Sequence, residues 1–128
     1  MSSHVRHGRG AVRPYVYGPP GLADFVRVVF GGVELERVGN AREGYHIETQ
    51  IGDSVVVLET GDTVPAAATR ASIYVYVPDV DAAFARALKA GATVLDAPAD
   101  KPYAERAAGV TDAFGNVWWI STYTGAPG

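Results

Sequence analysis

Residues 15–32 read YVYGPPGLADFVRVVFGG, and residues 74–91 read YVYVPDVDAAFARALKAG. The two stretches align without a gap, so that Tyr15, Val16 and Tyr17 correspond to Tyr74, Val75 and Tyr76. Identical residues recur further along the same alignment, namely Pro19 and Pro78, Phe25 and Phe84, Arg27 and Arg86, and Gly32 and Gly91. An internal repeat constrains the architecture more strongly than any single element does. Two copies predict a pseudo-symmetric domain made of two similar modules.

Each copy begins with an alternating strand, which leads through a proline-containing turn into a helix. Apolar residues recur at helical spacing in both predicted helices, at Leu22, Phe25, Val26, Val29 and Phe30, and at Val80, Phe84, Ala87 and Leu88. Asp79 is a suitable N-cap, and the pair Gly31-Gly32 and Gly91 are suitable helix stops.

Three further strands follow each helix. The strands predicted for module 1 are Arg13–Tyr17, Val33–Val38, Tyr45–Ile51 and Ser54–Glu59, and those for module 2 are Ser72–Val77, Thr93–Leu95, Arg106–Thr111 and Val117–Tyr123. The order is therefore βαβββ twice. It predicts an α+β fold in which a curved mixed sheet surrounds a cavity and the helices cover its outer face.

A chain of 128 residues is suited to one domain with a substantial core. We predict a flexible N-terminal arm at residues 1–10 and a single domain at residues 11–128, with module 1 at about 11–60 and module 2 at about 70–123. His4 and His7 lie in the arm, where weak metal binding and simple disorder are the alternatives.

Composition excludes several classes of function. The chain has no cysteine, which excludes disulfides, thiolate catalysis and cysteine-ligated zinc. A net charge of −3 gives no basic surface for nucleic acid or an anionic membrane. No apolar run approaches the roughly 20 residues of a membrane span, and the N-terminus lacks the apolar centre of a signal peptide. We therefore expect a cytoplasmic protein without nucleic-acid or membrane partners.

Strand parity predicts which side chains face the cavity, because neighbouring residues of a strand point to opposite faces. The aliphatic residues Val16, Ile73, Val75, Val77, Ile47 and Ile51 should pack under the helices. Arg13, Tyr15, Tyr17, Ser72, Tyr74, Tyr76, His46, Glu48 and Gln50 then face the cavity. An aromatic cavity binds planar or apolar ligands at low entropic cost. The alternative is an ordinary hydrated sheet or a dimer face, since tyrosine is common in half-buried strands.

Two adjacent tryptophans end the stretch DAFGNVWWI at residues 112–120. Only one of them can enter the core, and Trp118 with Ile120 makes the better core pair. We therefore place Trp119 in the cavity, after a turn shaped by Asp112 and Asn116.

His46 and Glu48 lie two residues apart on one predicted strand, so their side chains are neighbours. They could act as a general base, with Glu48 orienting His46, or contribute to a displaced metal site. A polar pair on a hydrated strand is the alternative. Arg106 is a candidate for binding an anionic group of a ligand, with a surface salt bridge as its alternative.

The doubled βαβββ plan resembles the vicinal oxygen chelate superfamily of glyoxalases, bleomycin resistance proteins and dioxygenases. Within it, IYVYVPDVDAAFARALKAGATVLDAPAD and ERAAGVTDAFGNVWWISTY resemble the PhnB-like branch over about residues 11–123. This sequence departs from the usual D-P-F-G-H-x-W run of that branch at Ala113 and Asn116. The resemblance also implies a homodimer with cavities near the interface.

Enzymes of the superfamily hold a divalent metal with two residues from each module. Carried over, these positions are Arg13, Ser72, Val56 and Trp119, where the last two come four residues after Gly52 and Gly115. Zn²⁺, Ni²⁺ and Fe²⁺ need imidazole or carboxylate donors, which none of these residues supplies. We expect neither a metal site nor a cofactor.

The first hypothesis is therefore a metal-free protein that binds a small, aromatic or apolar molecule, including sequestration of an antibiotic. Its candidate ligand-binding residues are Tyr15, Tyr17, Tyr74, Tyr76, Trp119, His46, Glu48 and Arg106. The second is a metal-dependent lyase, isomerase or dioxygenase of the glyoxalase type, with His46 and Glu48 as its catalytic candidates. A third is a module whose open sheet face serves dimerisation.

Overall fold

The computed structural model describes residues 4–125, which contain two α-helices and eight strands. Module 1 consists of β1 (Tyr15–Gly18), α1 (Leu22–Phe30), β2 (Val33–Gly39), β3 (Tyr45–Ile51) and β4 (Ser54–Thr60). Module 2 consists of β5 (Ser72–Tyr76), α2 (Val80–Lys89), β6 (Thr93–Lys101), β7 (Glu105–Thr111) and β8 (Val117–Tyr123). Residues 1–3 of the predicted arm and 126–128 of the predicted domain lie outside the described residues.

The strands form two four-stranded mixed sheets, in the orders β1-β4-β3-β2 and β5-β8-β7-β6. In each sheet the first strand of the module runs parallel to its last strand, and the other pairs are antiparallel. The predicted α+β fold class and doubled βαβββ order are confirmed. Within residues 4–125, the strands pair by backbone hydrogen bonds inside their own module and not across the two.

The strand β6 is longer than predicted, since it continues to Lys101 instead of ending at Leu95. Its pairing with β7 shifts register after Val94 and again after Asp96. Pro98 has no N–H to donate to a neighbouring strand, so it favours irregular pairing. For the same reason this part of the sequence does not show the alternating pattern of a strand. The extra residues of module 2 thus extend one irregular hairpin.

The start of α2 is set by a side-chain cap and the end of α1 by a glycine. The carboxylate of Asp79 accepts a hydrogen bond from the N–H of Ala82 at 3.1 Å, so the predicted N-cap is confirmed. Gly31 ends α1 with φ 68°, a left-handed conformation that favours glycine. No helix in the part of the chain that the structure describes has the length and apolarity to cross a membrane.

One hydrophobic core joins the two helices to the same face of both sheets. Trp118 is fully buried there, and its ring centroid lies 6.0 Å from that of Phe25 and 5.2 Å from that of Phe30, both on α1. Its indole N–H donates to the Asp112 carboxylate at 2.9 Å. Truncation of such a tryptophan costs about 3–5 kcal/mol, so Trp118 is a structural residue, as predicted.

Asn116 ties the two modules together at the start of β8. It is fully buried, its side-chain oxygen accepts from the N–H of Ala71 at 2.8 Å, and its side-chain nitrogen donates to the carbonyl of Tyr17 at 2.9 Å. A buried amide with partners on both sides fixes the relative position of β1 and β8.

Candidate functional site

Each sheet has one face against the core and a second face, here called the open face, that points away from it. Residues of the module 1 open face are Tyr15, Tyr17, His46, Glu48, Gln50, Val57 and Glu59, and those of the module 2 open face are Ser72, Tyr74, Tyr76, Glu105, Gly109, Trp119 and Ser121. The aliphatic residues Val16, Ile47, Ile73 and Val75 lie in the core, so the predicted strand parity is correct.

Trp119 lies on the module 2 open face, where its neighbours across the strands are Tyr74 and Gly109. A side chain at position 109 would start 2.7 Å from the indole ring, so the ring packs closely against Gly109 of β7. The indole N–H donates to the hydroxyl of Ser72 at 3.1 Å. One tryptophan is thus in the core, and the other presents part of its ring outside it.

The position of Val56 corrects the alignment of the two modules. Val56 is buried in the core, whereas Val57 pairs with Tyr15 as Trp119 pairs with Tyr74. The hairpin between β3 and β4 turns directly from Ile51 to Ser54, but the hairpin between β7 and β8 has a longer turn, residues 112–116. The glycines of the two turns are therefore not equivalent, and the counterpart of Trp119 is Val57.

The corrected set of metal positions is Arg13, Val57, Ser72 and Trp119. Arg13 donates to the carboxylate of Glu48, and Ser72 accepts from Trp119. Valine and tryptophan offer no donor lone pair, and arginine does not deprotonate. These residues do not fit a divalent metal. Over residues 4–125, no group of three or more His, Asp or Glu side chains is arranged to hold one.

His46 bridges two carboxylates on the module 1 open face. Its Nε2 lies 2.7 Å from Glu48 and its Nδ1 lies 2.7 Å from Glu59. Burial lowers the pKa of His46, but the hydrogen bonds to Glu59 and Glu48 outweigh it and raise the pKa overall. With both nitrogens engaged, this arrangement favours an imidazolium that holds two strands together rather than a general base.

Further cationic and polar groups surround the same two carboxylates. Arg13 pairs with Glu48, while Glu59 accepts from Arg42 at 3.1 Å, Asn40 at 2.7 Å and Tyr15 at 2.9 Å. Burial raises the pKa of Glu59, but hydrogen bonds from His46, Tyr15 and Asn40 lower it overall. Burial and the hydrogen bond to Glu59 raise the pKa of Tyr15 to about 12. Each carboxylate of this cluster therefore contacts at least one cation.

The segment at residues 6–13, here called the strap, crosses the module 1 open face. Arg6 forms an ion pair with Glu36 at 2.5 Å, and Arg9 donates to Gln50 at 2.7 Å. Arg13, at the end of the strap, stabilises its conformation because its guanidinium donates to the carbonyls of Arg9 and Gly10, both at 2.8 Å. Arg6 of the strap contributes to a cavity of about 210 Å³, whose other lining residues are Glu36, Val38, His46 and Glu48. The described part of the predicted arm is thus anchored to the sheet.

Glu105 is a buried carboxylate of the module 2 open face, whereas Asp96, the cross-strand partner of Gly109, pairs there with Lys101. The oxygens of Glu105 accept from Ser121 at 2.8 Å and from the hydroxyls of Tyr74 and Tyr76. The hydrogen bonds from Tyr74, Tyr76 and Ser121 lower the pKa of Glu105. The bond to Glu105 raises the pKa of Tyr76 to about 12. The tyrosines of β5 are thereby oriented by a carboxylate beneath them.

Arg106 lies on the opposite face of β7 from Glu105. Its guanidinium contacts Asp81 on α2 at 2.8 and 2.9 Å and Asp100 at 3.2 Å. Arg106 therefore forms the salt bridges that were the alternative to ligand binding, and its side chain lies on neither open face.

The candidate tyrosines form two separate groups. Tyr15 contacts Tyr17 and His46, with centroid distances of 5.2 and 6.1 Å, and Tyr74 contacts Tyr76 at 5.6 Å. No ring contact joins the two groups among residues 4–125. A groove of about 250 Å³ runs between the modules, and its lining consists of Val12, Pro14, Ile51, Gly52, Asp53, Ser54, Val56, Ile73, Tyr74, Val75 and Tyr76.

The sequence interpretation missed Glu59 and Glu105. Glu59 follows the apolar run Val55–Leu58, which hides the alternation of β4. Glu105 lies one residue before the predicted start of β7. Extending the alternation of Ala107 and Gly109 backward by one step would have placed it on the open face.

Comparison with known proteins adds sequence relatives. A sequence model described as the Glyoxalase/Bleomycin resistance protein/Dioxygenase superfamily matches residues 15–120. The uncharacterized protein Mb0911c of Mycobacterium bovis is 37% identical over 108 residues, covering 74% of this chain and 70% of that protein. The uncharacterized protein Rv0887c of Mycobacterium tuberculosis is equally identical, but the match spans only 62% of its length.

Solved structures share the fold. TioX from Micromonospora sp. ML1 superposes with a TM-score of 0.67 at 27% identity, covering 93% of this chain and 98% of that one. A glyoxalase/bleomycin resistance protein from Streptomyces sp. CB03234 has a TM-score of 0.59 at 24% identity, covering 87% and 100%. At that identity the second likeness concerns the fold alone.

Proposed function

Because the chain belongs to the glyoxalase/bleomycin resistance protein/dioxygenase superfamily, we propose that it binds a small aromatic or apolar molecule without a divalent metal. The observation that carries the proposal is Trp119, whose indole takes one of the positions at which the superfamily's enzymes would place a metal ligand. Its N–H is engaged by Ser72, so the ring is held in one orientation. A rigid aromatic surface of this kind binds a planar partner at low entropic cost.

The surroundings of Trp119 support an apolar ligand. Tyr74 is its neighbour on β5, and Tyr74 also lines the groove between the modules, where most of the other lining residues are aliphatic. Small-molecule sites are concave and mostly apolar, with few polar groups that fix orientation. Ser72 and the tyrosine hydroxyls provide such polar groups here.

A metal-dependent reaction would need donors other than the corrected set. His46, Glu48 and Glu59 are the nearest alternative, but both nitrogens of His46 are hydrogen bonded and Arg13 and Arg42 contact the carboxylates. Two cations beside a site oppose the binding of a third. The binding role is therefore favoured over a lyase, isomerase or dioxygenase.

The same proposal includes membership of the PhnB-like branch, a homodimeric state, a cytoplasmic location and sequestration of an antibiotic. The segment ERAAGVTDAFGNVWWISTY supports the branch, and the superfamily includes bleomycin resistance proteins. Size-exclusion chromatography with light scattering checks the dimer.

A panel of aromatic compounds tests the proposal. We expect at least one compound to raise the melting temperature of the untagged protein and to quench the Trp119 fluorescence, with no response to added Zn²⁺, Ni²⁺ or Fe²⁺. The variant Trp119→Ala should lose this response. The control Tyr45→Ala should keep it, because Tyr45 stacks with Arg37 on the other face of its sheet.

Two results would overturn the proposal. One is a failed panel, in which the wild type binds no compound or Trp119→Ala binds every compound as the wild type does. The other is stoichiometric bound transition metal in the untagged protein by elemental analysis.

A further inference from the structure

We infer that the module 2 open face binds an organic cation, with the ammonium group of the ligand placed over Glu105 and its tyrosines. This inference rests on the proposed function, because it specifies the charge of the molecule that the same face would hold.

The charge of Glu105 is not neutralised within the described chain. Glu105 is 8% exposed, and its three hydrogen-bond donors, Tyr74, Tyr76 and Ser121, are all neutral hydroxyls. No ion pair to Glu105 occurs among residues 4–125. Hydroxyl donors stabilise a carboxylate but leave its net charge in place. The face therefore carries a negative charge without a counterion.

Lys101 is the basic residue best placed to supply that counterion, since it is the cross-strand partner of Glu105. Its ammonium group instead pairs with Asp96 at 2.8 Å. The lysine charge is thus compensated by Asp96, and Glu105 has no cationic partner among the described residues.

Four exposed tyrosines lie on strands or turns next to Glu105, and two of them contact it. Tyr74 and Tyr76 donate to it, Tyr123 is its partner on β8, and Tyr103 lies in the preceding turn. Their exposed fractions are 46% for Tyr74, 61% for Tyr76, and 58% for both Tyr103 and Tyr123. The faces of aromatic rings attract cations, and a carboxylate hydrogen bonded to two of these tyrosines strengthens the attraction. The arrangement therefore suits a primary amine or a quaternary ammonium group.

The module 1 open face lacks this property although it contains more carboxylates. Arg13 and His46 contact Glu48, while Arg42 and His46 contact Glu59. A cationic ligand would have to displace these internal cations. The inference therefore applies to module 2 alone.

A matched pair of probes tests the inference: 2-phenylethylammonium and the neutral 2-phenylethanol, titrated into the full chain by calorimetry. We expect the ammonium compound to bind about tenfold more tightly than the alcohol. In Glu105→Gln the two affinities should become equal, while the affinity for the alcohol stays unchanged. The control Asp100→Asn removes the same charge from the other face of the same sheet and should keep the tenfold preference.

A second variant keeps the test decisive if Glu105→Gln fails to fold by circular dichroism. Tyr76→Leu removes an exposed ring but leaves the carboxylate, and should weaken binding of the ammonium compound about threefold.

Three outcomes would overturn the inference. Equal binding of both probes to the wild type removes it but leaves the proposed aromatic site standing. Equal loss of preference in Asp100→Asn would assign the effect to net charge. Binding of neither probe also removes it, and the aromatic panel with Trp119→Ala then decides the proposed function separately.

Discussion

Glu59 in module 1 and Glu105 in module 2 are both carboxylates on an open face, and both accept a hydrogen bond from a tyrosine of the first strand of their module. Their other partners differ. His46 and Arg42 contact Glu59, whereas Glu105 contacts only hydroxyls. The repeat thus preserves the strands and the tyrosines but not the charge balance. A closed polar cluster lies on one face, and an uncompensated anion lies on the other.

The largest expected effect comes from neutralising Glu59. In Glu59→Gln, His46 and Arg42 lose a charged partner, and we expect a loss of about 2 kcal/mol in the free energy of unfolding. Urea titration followed by circular dichroism measures it. A change within the error of the titration would mean that the ion pairs of Glu59 with His46 and Arg42 do not stabilise the fold.

The next effect concerns the pH dependence of the same cluster. The folded pKa of His46 is raised above its ordinary value of 6.5, so folding favours the protonated imidazole. The stabilisation is complete below pH 6.5 and is lost as the pH rises through the folded pKa.

His46→Gln should therefore flatten the stability profile above pH 6.5, measured by urea titration at several pH values. The wild-type slope should persist in Glu105→Gln, because module 2 contributes no histidine among the described residues. A slope unchanged in His46→Gln would contradict the bridging role.

Neutralising Glu105 should cost less stability than neutralising Glu59. In Glu105→Gln one side-chain oxygen remains as an acceptor for the hydroxyls and no buried cation loses its partner, so we expect less than half of the loss seen in Glu59→Gln. The same urea titration compares the two variants directly. Equal losses would remove the distinction between the modules.

The smallest effect is expected for Arg106, which lies on the core side of its sheet and pairs with Asp81 and Asp100 at the surface. Arg106→Gln should leave both stability and the binding of aromatic compounds within experimental error. Loss of binding in this variant would show that Arg106 contributes to ligand binding after all.

The sequence predicted the architecture because the repeat and the strand parity are local signals. Trp118 and Trp119 were separated by parity alone, and the structure agrees. The bulged strand β6 was not predicted, since Pro98 interrupts the pattern that marks a strand. Val56 was assigned to a metal position because glycines were aligned across two hairpins with different turns.

The candidate site was predicted less completely, because its charge balance depends on contacts between distant segments. Arg13 reaches Glu48 and Tyr76 reaches Glu105 only after the strands pair. The strap also depends on side chains far apart in the chain, as Arg6 with Glu36 illustrates. Such pairings between distant residues produce no periodic pattern in a single sequence.

The contact between Trp118 and the aromatic residues of α1 makes the two halves interdependent. Phe25 and Phe30 belong to one copy of the repeat, and the indole between them belongs to the other. A fragment holding either copy alone would expose half of this aromatic cluster to water, with no side chain of its own to replace it. We therefore expect the duplicated halves to melt in a single cooperative transition, and a gene truncated between them to yield an aggregating product.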